Sequence, residues 1–210
     1  MQQKNRVLEL FGGSCSFSNL AKEFNMQTFT TDIEKFNNID LQKDILDLEI
    51  KDLPFIPDII WASPPCTFFS VASIGHHWHK DHTPKTKQAI LGCEIVKKTL
   101  DLIKELQYYN NNLVYYIENP RGKLRKLDFM QGLNRKTIWY CQYGDDRAKP
   151  TDIWTNDNNF VEKQCFNGNK NCHHQSAPRG SKTGTQGLKN NYERSKVPYN
   201  LCKEILLSWQ

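Results

Sequence analysis

Cys66 lies in Ser63-Pro64-Pro65-Cys66-Thr67, directly after the apolar run Pro57-Asp58-Ile59-Ile60-Trp61-Ala62. Two prolines fix two φ angles and remove two backbone donors, so the turn positions whatever follows it. A thiol held at the end of a strand can act as a nucleophile where nearby positive charge favours its thiolate. A buried structural cysteine fits the same turn, because cysteine is among the most buried residue types. Ile117-Glu118-Asn119-Pro120 is a second such group, an acid and an amide at the end of a β-prone run and locked by proline. Phe11-Gly12-Gly13-Ser14 follows a third run, and small residues there let the backbone approach a ligand closely. Asp32 ends a fourth, where an acid accepts hydrogen bonds from ribose hydroxyls. Taken singly, each has an ordinary reading as a turn, a cap or surface polarity.

These groups need strands to hold them. Arg6 to Phe11, Gln27 to Thr31, Asp58 to Trp61, Leu113 to Ile117, Thr137 to Tyr143 and Thr151 to Thr155 read as strands. Ser16 to Phe24 reads as a helix, and Pro84 to Asn110 as the longest one, with Thr83 as its cap and Pro84 in its first turn. Pro198 to Trp209 reads as a last amphipathic helix, with Leu201, Ile205 and Trp209 on one face. Apolar strands alternating with helices predict an α/β fold with a mostly parallel sheet. In such sheets ligands bind at the carboxyl ends of the strands, where the four groups above lie.

Composition narrows the classes. A chain of 210 residues with a 38% hydrophobic fraction can bury a full core, and no apolar run approaches a membrane span. Seven scattered cysteines argue for a reducing cytosol rather than a disulfide framework, and no signal peptide is visible. Charge is uneven. Residues 1–60 hold ten Asp/Glu against six Lys/Arg, whereas residues 163–203 hold eight Lys/Arg against one Glu. A basic C-terminal half suits a polyanion, nucleic acid first, and equally a solvated basic face.

In order along nearly the whole chain, these segments resemble the cytosine-C5 DNA methyltransferases, and the compact, virus-encoded type most. Leu8-Glu9-Leu10-Phe11-Gly12-Gly13-Ser14 resembles the methyl-donor loop of that family, Thr31-Asp32-Ile33-Glu34 the ribose-acid segment, and Lys43-Asp44-Ile45 the adenine-binding segment. Ser63-Pro64-Pro65-Cys66 with Phe69-Ser70 resembles the Pro-Cys nucleophile motif, and Ile117-Glu118-Asn119-Pro120 the Glu-Asn motif. Val197-Pro198 with Leu201 and Ile205 is similar to the final motif, whose helix closes the donor pocket. The resemblance implies a Rossmann-like S-adenosylmethionine-dependent methyltransferase fold. Residues 1–155 would form the catalytic and donor-binding domain, residues 156–192 a short target-recognition region, and residues 193–210 a helix returning to the catalytic domain.

It also implies a mechanism. C5 of cytosine is a poor nucleophile, and addition of the Cys66 thiolate at C6 makes it enamine-like. Glu118 would relieve charge at N3 by carrying or sharing a proton, which burial in a base pocket favours. Asn119 would hold Glu118 or the base edge. A base within a duplex is out of reach and must be flipped out. For the donor, Phe11 would meet the adenine, Asp32 the ribose and Asp44 the adenine amine, with Gly12, Gly13, Ile33 and Pro64 completing the pocket. Cys15 departs from the family, which has glycine there; if φ is positive at that position, a side chain strains it.

Several loops are expected to touch DNA. The loop from Ile74 to Lys87 carries His76, His77, Trp78, His79 and His82, with Trp78 as a wedge into the gap left by the base and Lys80 on a phosphate. Ser70 follows the nucleophile. Arg147 and Lys149 lie where family arginines orient the flipped base, although the usual spacing is not kept. Arg179, Lys182, Lys189 and Arg194 are candidate contacts to phosphates or bases. Cys165, Cys172 and His174 suit a structural zinc, with a fourth ligand unidentified. The partner expected is double-stranded DNA, the working form a monomer, and the compartment the cytoplasm, that of a host if the gene is viral. An RNA cytosine-C5 methyltransferase is the rival enzyme. A DNA-binding protein that lost turnover through Cys15 is the rival of another class.

Overall fold

The computed structural model of the chain describes residues 5–176 and 191–209. Seven strands form one sheet: β1 (Arg6–Leu10), β2 (Gln27–Asp32), β3 (Leu41–Gln42), β4 (Ile59–Ala62), β5 (Val114–Pro120), β6 (Arg135–Trp139) and β7 (Pro150–Thr155). Their order is β3-β2-β1-β4-β5-β7-β6, parallel except that β7 runs antiparallel to both β5 and β6. The helices are α1 (Ser16–Glu23), α2 (Ile74–His77), α3 (Lys87–Tyr109), α4 (Asn191–Ser195) and α5 (Tyr199–Leu207). No described helix is long and apolar enough to cross a membrane.

Alternation along the strands builds two cores. Leu8 and Leu10 of β1, Ile60 and Ala62 of β4, and Tyr115 and Ile117 of β5 pack with α3 on one face. Val7, Ile59, Trp61 and Tyr116 pack with α1 and α5 on the other. This is the period of two expected of a pleated strand, and a sheet buried on both faces needs apolar residues at every position. The exception is Glu9. It is buried in the middle of β1 on the α1 face, where its carboxylate accepts Phe17 N and Ser18 N at the start of α1.

The long helix starts later than its composition predicts. Thr86, not Thr83, is the cap, its Oγ1 accepting Ala89 N at 3.2 Å. Pro84 instead forms an isolated bridge with Trp78, and Thr83 is held by the Asp81 carboxylate. The run Thr137 to Tyr143 divides into β6 and a 3-10 turn, Tyr140–Tyr143. Pairing with β7 ends at Trp139, opposite Pro150, and beyond it Gly144 N donates to Cys141 O. β5 runs past Ile117 through Glu118, Asn119 and Pro120, because β7 pairs with it there, Glu118 opposite Ile153 and Pro120 opposite Thr151. Residues 156–176 carry no helix or strand, and Pro198 caps α5 rather than occupying its first turn.

Candidate active site

β4 and β5 are neighbours, with Ala62 opposite Ile117, so the Pro-Cys turn and the Glu-Asn pair leave the sheet side by side. Asn119 Nδ2 donates to the Pro64 carbonyl oxygen at 2.9 Å. Asn119 is fully buried and holds the nucleophile turn rather than Glu118. After Cys66 the chain makes a helical turn, Phe69 N and Ser70 N both donating to the Cys66 carbonyl oxygen at 3.0 Å. A second tie follows. Lys123 N donates to Phe69 O at 2.7 Å, and a Cβ at Gly122 would lie 2.2 Å from that same oxygen. Only glycine admits that approach, and Gly122, two residues beyond Pro120, was no part of the expected site. Beneath these ties Asp152, opposite Asn119, is fully buried and paired to Arg125. Asp58, at the other end of β4, pairs with Arg6 and is structural.

Glu118 is 6% exposed. Its Oε1 accepts the Tyr140 hydroxyl at 2.8 Å and lies 3.6 Å from Lys149 Nζ. Lys149 Nζ also stands 4.2 Å from the centroid of the Tyr140 ring. Burial, then the Glu118 charge, push the Tyr140 hydroxyl well above its ordinary pKa, so it stays a donor. Both contacts fall on Oε1. Arg147 is buried and paired to Asp145 at 2.5 Å, and its Nη1 makes no hydrogen bond among the described residues. Burial alone would raise the Asp145 carboxyl, but the Arg147 guanidinium outweighs it and holds it below the usual range. Tyr140 had no signal in the sequence: it is one aromatic among several in an apolar run.

The donor loop is tight. Phe11, Gly13 and Cys15 all have positive φ, at 60°, 47° and 51°. Cys15 therefore occupies the left-handed conformation that glycine tolerates best, and its buried Sγ donates to Asn38 O at 3.5 Å. Burial, then the charge of Glu9, push the Cys15 thiol up to about 12. Asp32 Oδ2 accepts Gly13 N at 2.9 Å, and Oδ1 accepts Glu34 N at 2.9 Å. Asp44 caps a 3-10 turn by accepting Leu46 N. Phe11, Asp32, Ile33, Asp44 and Ile45 line one cleft with Pro65, Leu91 and Ile95. Apolar walls with two carboxylates at the rim suit a flat heteroaromatic ring carrying ribose hydroxyls and an amine, which is the chemistry of the adenosine part of the implied donor. Ile33 is 60% exposed there; Pro64 is buried and does not line the cleft, where Pro65 stands instead. Val197 N donates to Ser16 Oγ at 3.3 Å, which sets the start of α5 against the donor loop.

The loop from Ile74 to Lys87 differs from expectation. Trp78 is 3% exposed, tilted against Phe69 with ring centroids 5.9 Å apart, and its Nε1 donates to Phe68 O. It is a core residue in this conformation and does not project as a wedge, because the loop folds back through the Trp78–Pro84 bridge. Lys123 Nζ lies 5.1 Å from the Trp78 ring centroid and contacts His82 Nδ1. His77 Nδ1 meets Thr86 Oγ1 at 2.7 Å. Lys80 is exposed on the same loop, and Ser70 Oγ pairs with Ser73 Oγ. Arg179, Lys182 and Lys189 lie outside the described residues, as does the side chain of Arg194 on α4.

Cys165, Cys172 and His174 come together, and the 3-10 turn after β6 adds Cys141 to them. Burial, then hydrogen bonds with Cys172 and Cys165, push the Cys141 thiol up to about 12. A broader cleft of about 550 Å³ opens beside Arg147, between Tyr143–Asp146 and the residues from Lys196 to Asn200.

A parallel sheet with one antiparallel strand, with an apolar cleft and the Pro-Cys turn at its carboxyl edge, is the Rossmann-like fold of S-adenosylmethionine-dependent methyltransferases. The solved structure of the methyltransferase EhMeth from Entamoeba histolytica shares this fold, with a TM-score of 0.53 at 14% identity over 79% of this chain. The chain spans 58% of that structure. No family model matches the chain. It is 29% identical over 175 residues to the probable DNA (cytosine-5)-methyltransferase of Frog virus 3 (isolate Goorha), covering 80% of this chain and 77% of that protein. The chain is therefore similar, over most of its length, to a cytosine-C5 methyltransferase.

Proposed function

We propose that the protein transfers a methyl group from S-adenosylmethionine to C5 of cytosine in double-stranded DNA, through a covalent bond between Cys66 Sγ and C6 of a flipped-out base. The observation that carries this reading is the position of Pro65. It lines the cleft of Phe11, Asp32 and Asp44, and the next residue is Cys66. Nucleophile and donor site therefore share a wall. Bound in that cleft, the donor supplies an electrophilic methyl on its sulfonium; Phe11, Ile33, Asp32 and Asp44 would hold it, with Gly12 and Gly13 shaping the loop.

Cys66 adds as the thiolate to C6, and the electron pair of the C5–C6 bond moves towards C5. Glu118 supplies or shares a proton at N3, steadied on Oε1 by Tyr140 and Lys149. Arg147, with an unpaired buried nitrogen, is available to the base carbonyl. Asn119 fixes the turn that aims the sulfur. C5 would take the methyl, leaving the donor's sulfur as a neutral thioether, and loss of the C5 proton to a base then expels Cys66 and restores the ring. Ser70, Lys80 and Lys149, with Arg179, Lys182, Lys189 and Arg194, would face the nucleic acid. The reading takes a monomer in the cytoplasm as the working form. It also includes a structural zinc in the recognition region, with Cys165, Cys172 and His174 among its ligands.

Cys66→Ser should abolish methyl transfer, and a covalent adduct with DNA containing 5-fluorocytosine should require Cys66. Bisulfite sequencing of DNA from cells expressing the protein should reveal methylated cytosines in a defined context. Full activity in the serine variant would overturn the mechanism, and methylation of RNA alone would overturn the substrate.

A further inference from the structure

Residues 156–176 form a long irregular segment with little core of their own; Phe160 is buried, while Val161 and Phe166 are exposed. Nevertheless this segment returns to the 3-10 turn after β6 at one point. There the ligand atoms of Cys141, Cys165, Cys172 and His174 all lie within 4.8 Å of one another. His174 Nδ1 is 4.0 Å from Cys165 Sγ. In a tetrahedral zinc site, with Zn–S near 2.3 Å and Zn–N near 2.0 Å, neighbouring ligand atoms stand about 3.5 to 3.8 Å apart. Contraction of at most about 1.3 Å would close the shell.

Two further observations point to an ion. His174 is 7% exposed, and its Nε2 is buried without a hydrogen bond among the described residues. A buried imidazole with one nitrogen unpartnered and the other facing only a sulfur 4.0 Å away is expensive, and a metal ion supplies the strong partner it lacks. Amide donors also face the sulfurs: Asn169 Nδ2 lies 3.4 Å from Cys165 Sγ, and Gln142 Nε2 3.6 Å from Cys172 Sγ. Donors around ligating atoms stabilise thiolates and orient them. Three sulfurs and one imidazole, with no carboxylate, form a soft, closed set that suits zinc in a structural role.

We propose that Cys141, Cys165, Cys172 and His174 bind one zinc ion that clamps the recognition segment to the wall of the base pocket. Cys141 is the ligand the sequence could not supply, and its neighbour Tyr140 is the residue that donates to Glu118. On the other side, His173 Nε2 contacts Asp145 O at 3.1 Å and Gln175 N donates to Asp146 O at 2.8 Å. Asp145 in turn holds Arg147. The ion thus ties residues 165–175 to the one stretch that carries both Tyr140 and Arg147. This deepens the zinc part of the reading above and is independent of methyl transfer, because metal content is measured without substrate.

The full chain, expressed with added zinc and purified under reducing conditions, should carry about one zinc per chain by mass spectrometry. Cys141→Ser and Cys172→Ser should lose most of it, and Cys93→Ser, a change on α3, should keep it. Cobalt added to the metal-stripped wild-type chain should give the thiolate charge-transfer band and strong visible bands of a tetrahedral site, a readout that does not depend on any variant folding. Wild-type protein without zinc and without the cobalt band would overturn the proposal. So would iron in place of zinc, or unchanged zinc in Cys141→Ser.

Discussion

Asn119 Nδ2 and the Pro64 carbonyl oxygen are 2.9 Å apart, across the ends of two adjacent parallel strands. The proline turn cannot make this tie with its own N–H groups, because Pro64 and Pro65 have none. The carbonyl is the handle left to it, and a buried amide from the next strand takes it. Removing the amide leaves a buried oxygen without a partner, which costs about 1–3 kcal/mol. Asn119→Ala should lower thermal stability by that order and lower turnover at least about tenfold, while donor affinity falls less, because Pro65 is the one cleft residue on that turn. Calorimetry with the donor and radiolabelled methyl transfer would separate the effects; unchanged turnover would contradict the role.

Gly122 sets the second tie. Its missing Cβ would stand 2.2 Å from Phe69 O, a backbone atom that cannot rotate away. Gly122→Ala should destabilise by roughly 1–3 kcal/mol and remove activity. Gly75, which has nothing within 4 Å of its Cβ position, is the matched control, and Gly75→Ala should leave the denaturant midpoint unchanged. Equal effects of the two changes would refute the steric account.

Glu9 makes stability depend on pH. Burial, opposed by hydrogen bonds with Ser18 and Phe17, raises its carboxyl to about 7, against an ordinary 4.5. The stabilising contribution is full below about pH 4.5, falls as pH rises towards 7, and is absent above it, a total of roughly 3 kcal/mol. Glu9→Gln should flatten the stability profile between pH 5 and 8. Denaturant midpoints of both proteins at the two ends of that window test this, and parallel slopes would sink it.

Cys15 carries opposing effects. Its left-handed backbone costs about 1–2 kcal/mol relative to glycine, and its buried side chain returns about 1 kcal/mol of packing. Cys15→Gly should therefore change stability little. Its effect should appear in the donor loop, as tighter S-adenosylmethionine binding by calorimetry. Weaker binding would mean that Cys15 supports the loop rather than straining it.

Much of the catalytic edge was legible in the chain because it is local. Val7, Leu8, Ile59, Ile60 and Trp61 are short apolar runs, and each is a strand of a sheet buried on both faces. Glycines after β1 and prolines after β4 mark where those strands stop, so Cys66 could be assigned to a strand end before any pairing was known, whereas Glu118 lies within β5. The lone acid in Leu8-Glu9-Leu10 was a signal too, since a charge inside a buried run needs partners.

Trp78 shows where such reading fails. A tryptophan among histidines and lysines has the composition of an exposed loop, yet the loop folds back and buries it against Phe69. Tyr140 beside Glu118, Gly122 beneath Phe69 and Cys141 beside Cys165 were equally hidden. Types and order of residues determined the fold class, the strand ends and the candidate nucleophile, because apolar periodicity and turn chemistry act between near neighbours. Which side chains meet across strands was decided only in the tertiary structure. The antiparallel insertion of β7 extends β5 through Asn119, and packing brings the turn after β6 under both Glu118 and the cysteine cluster.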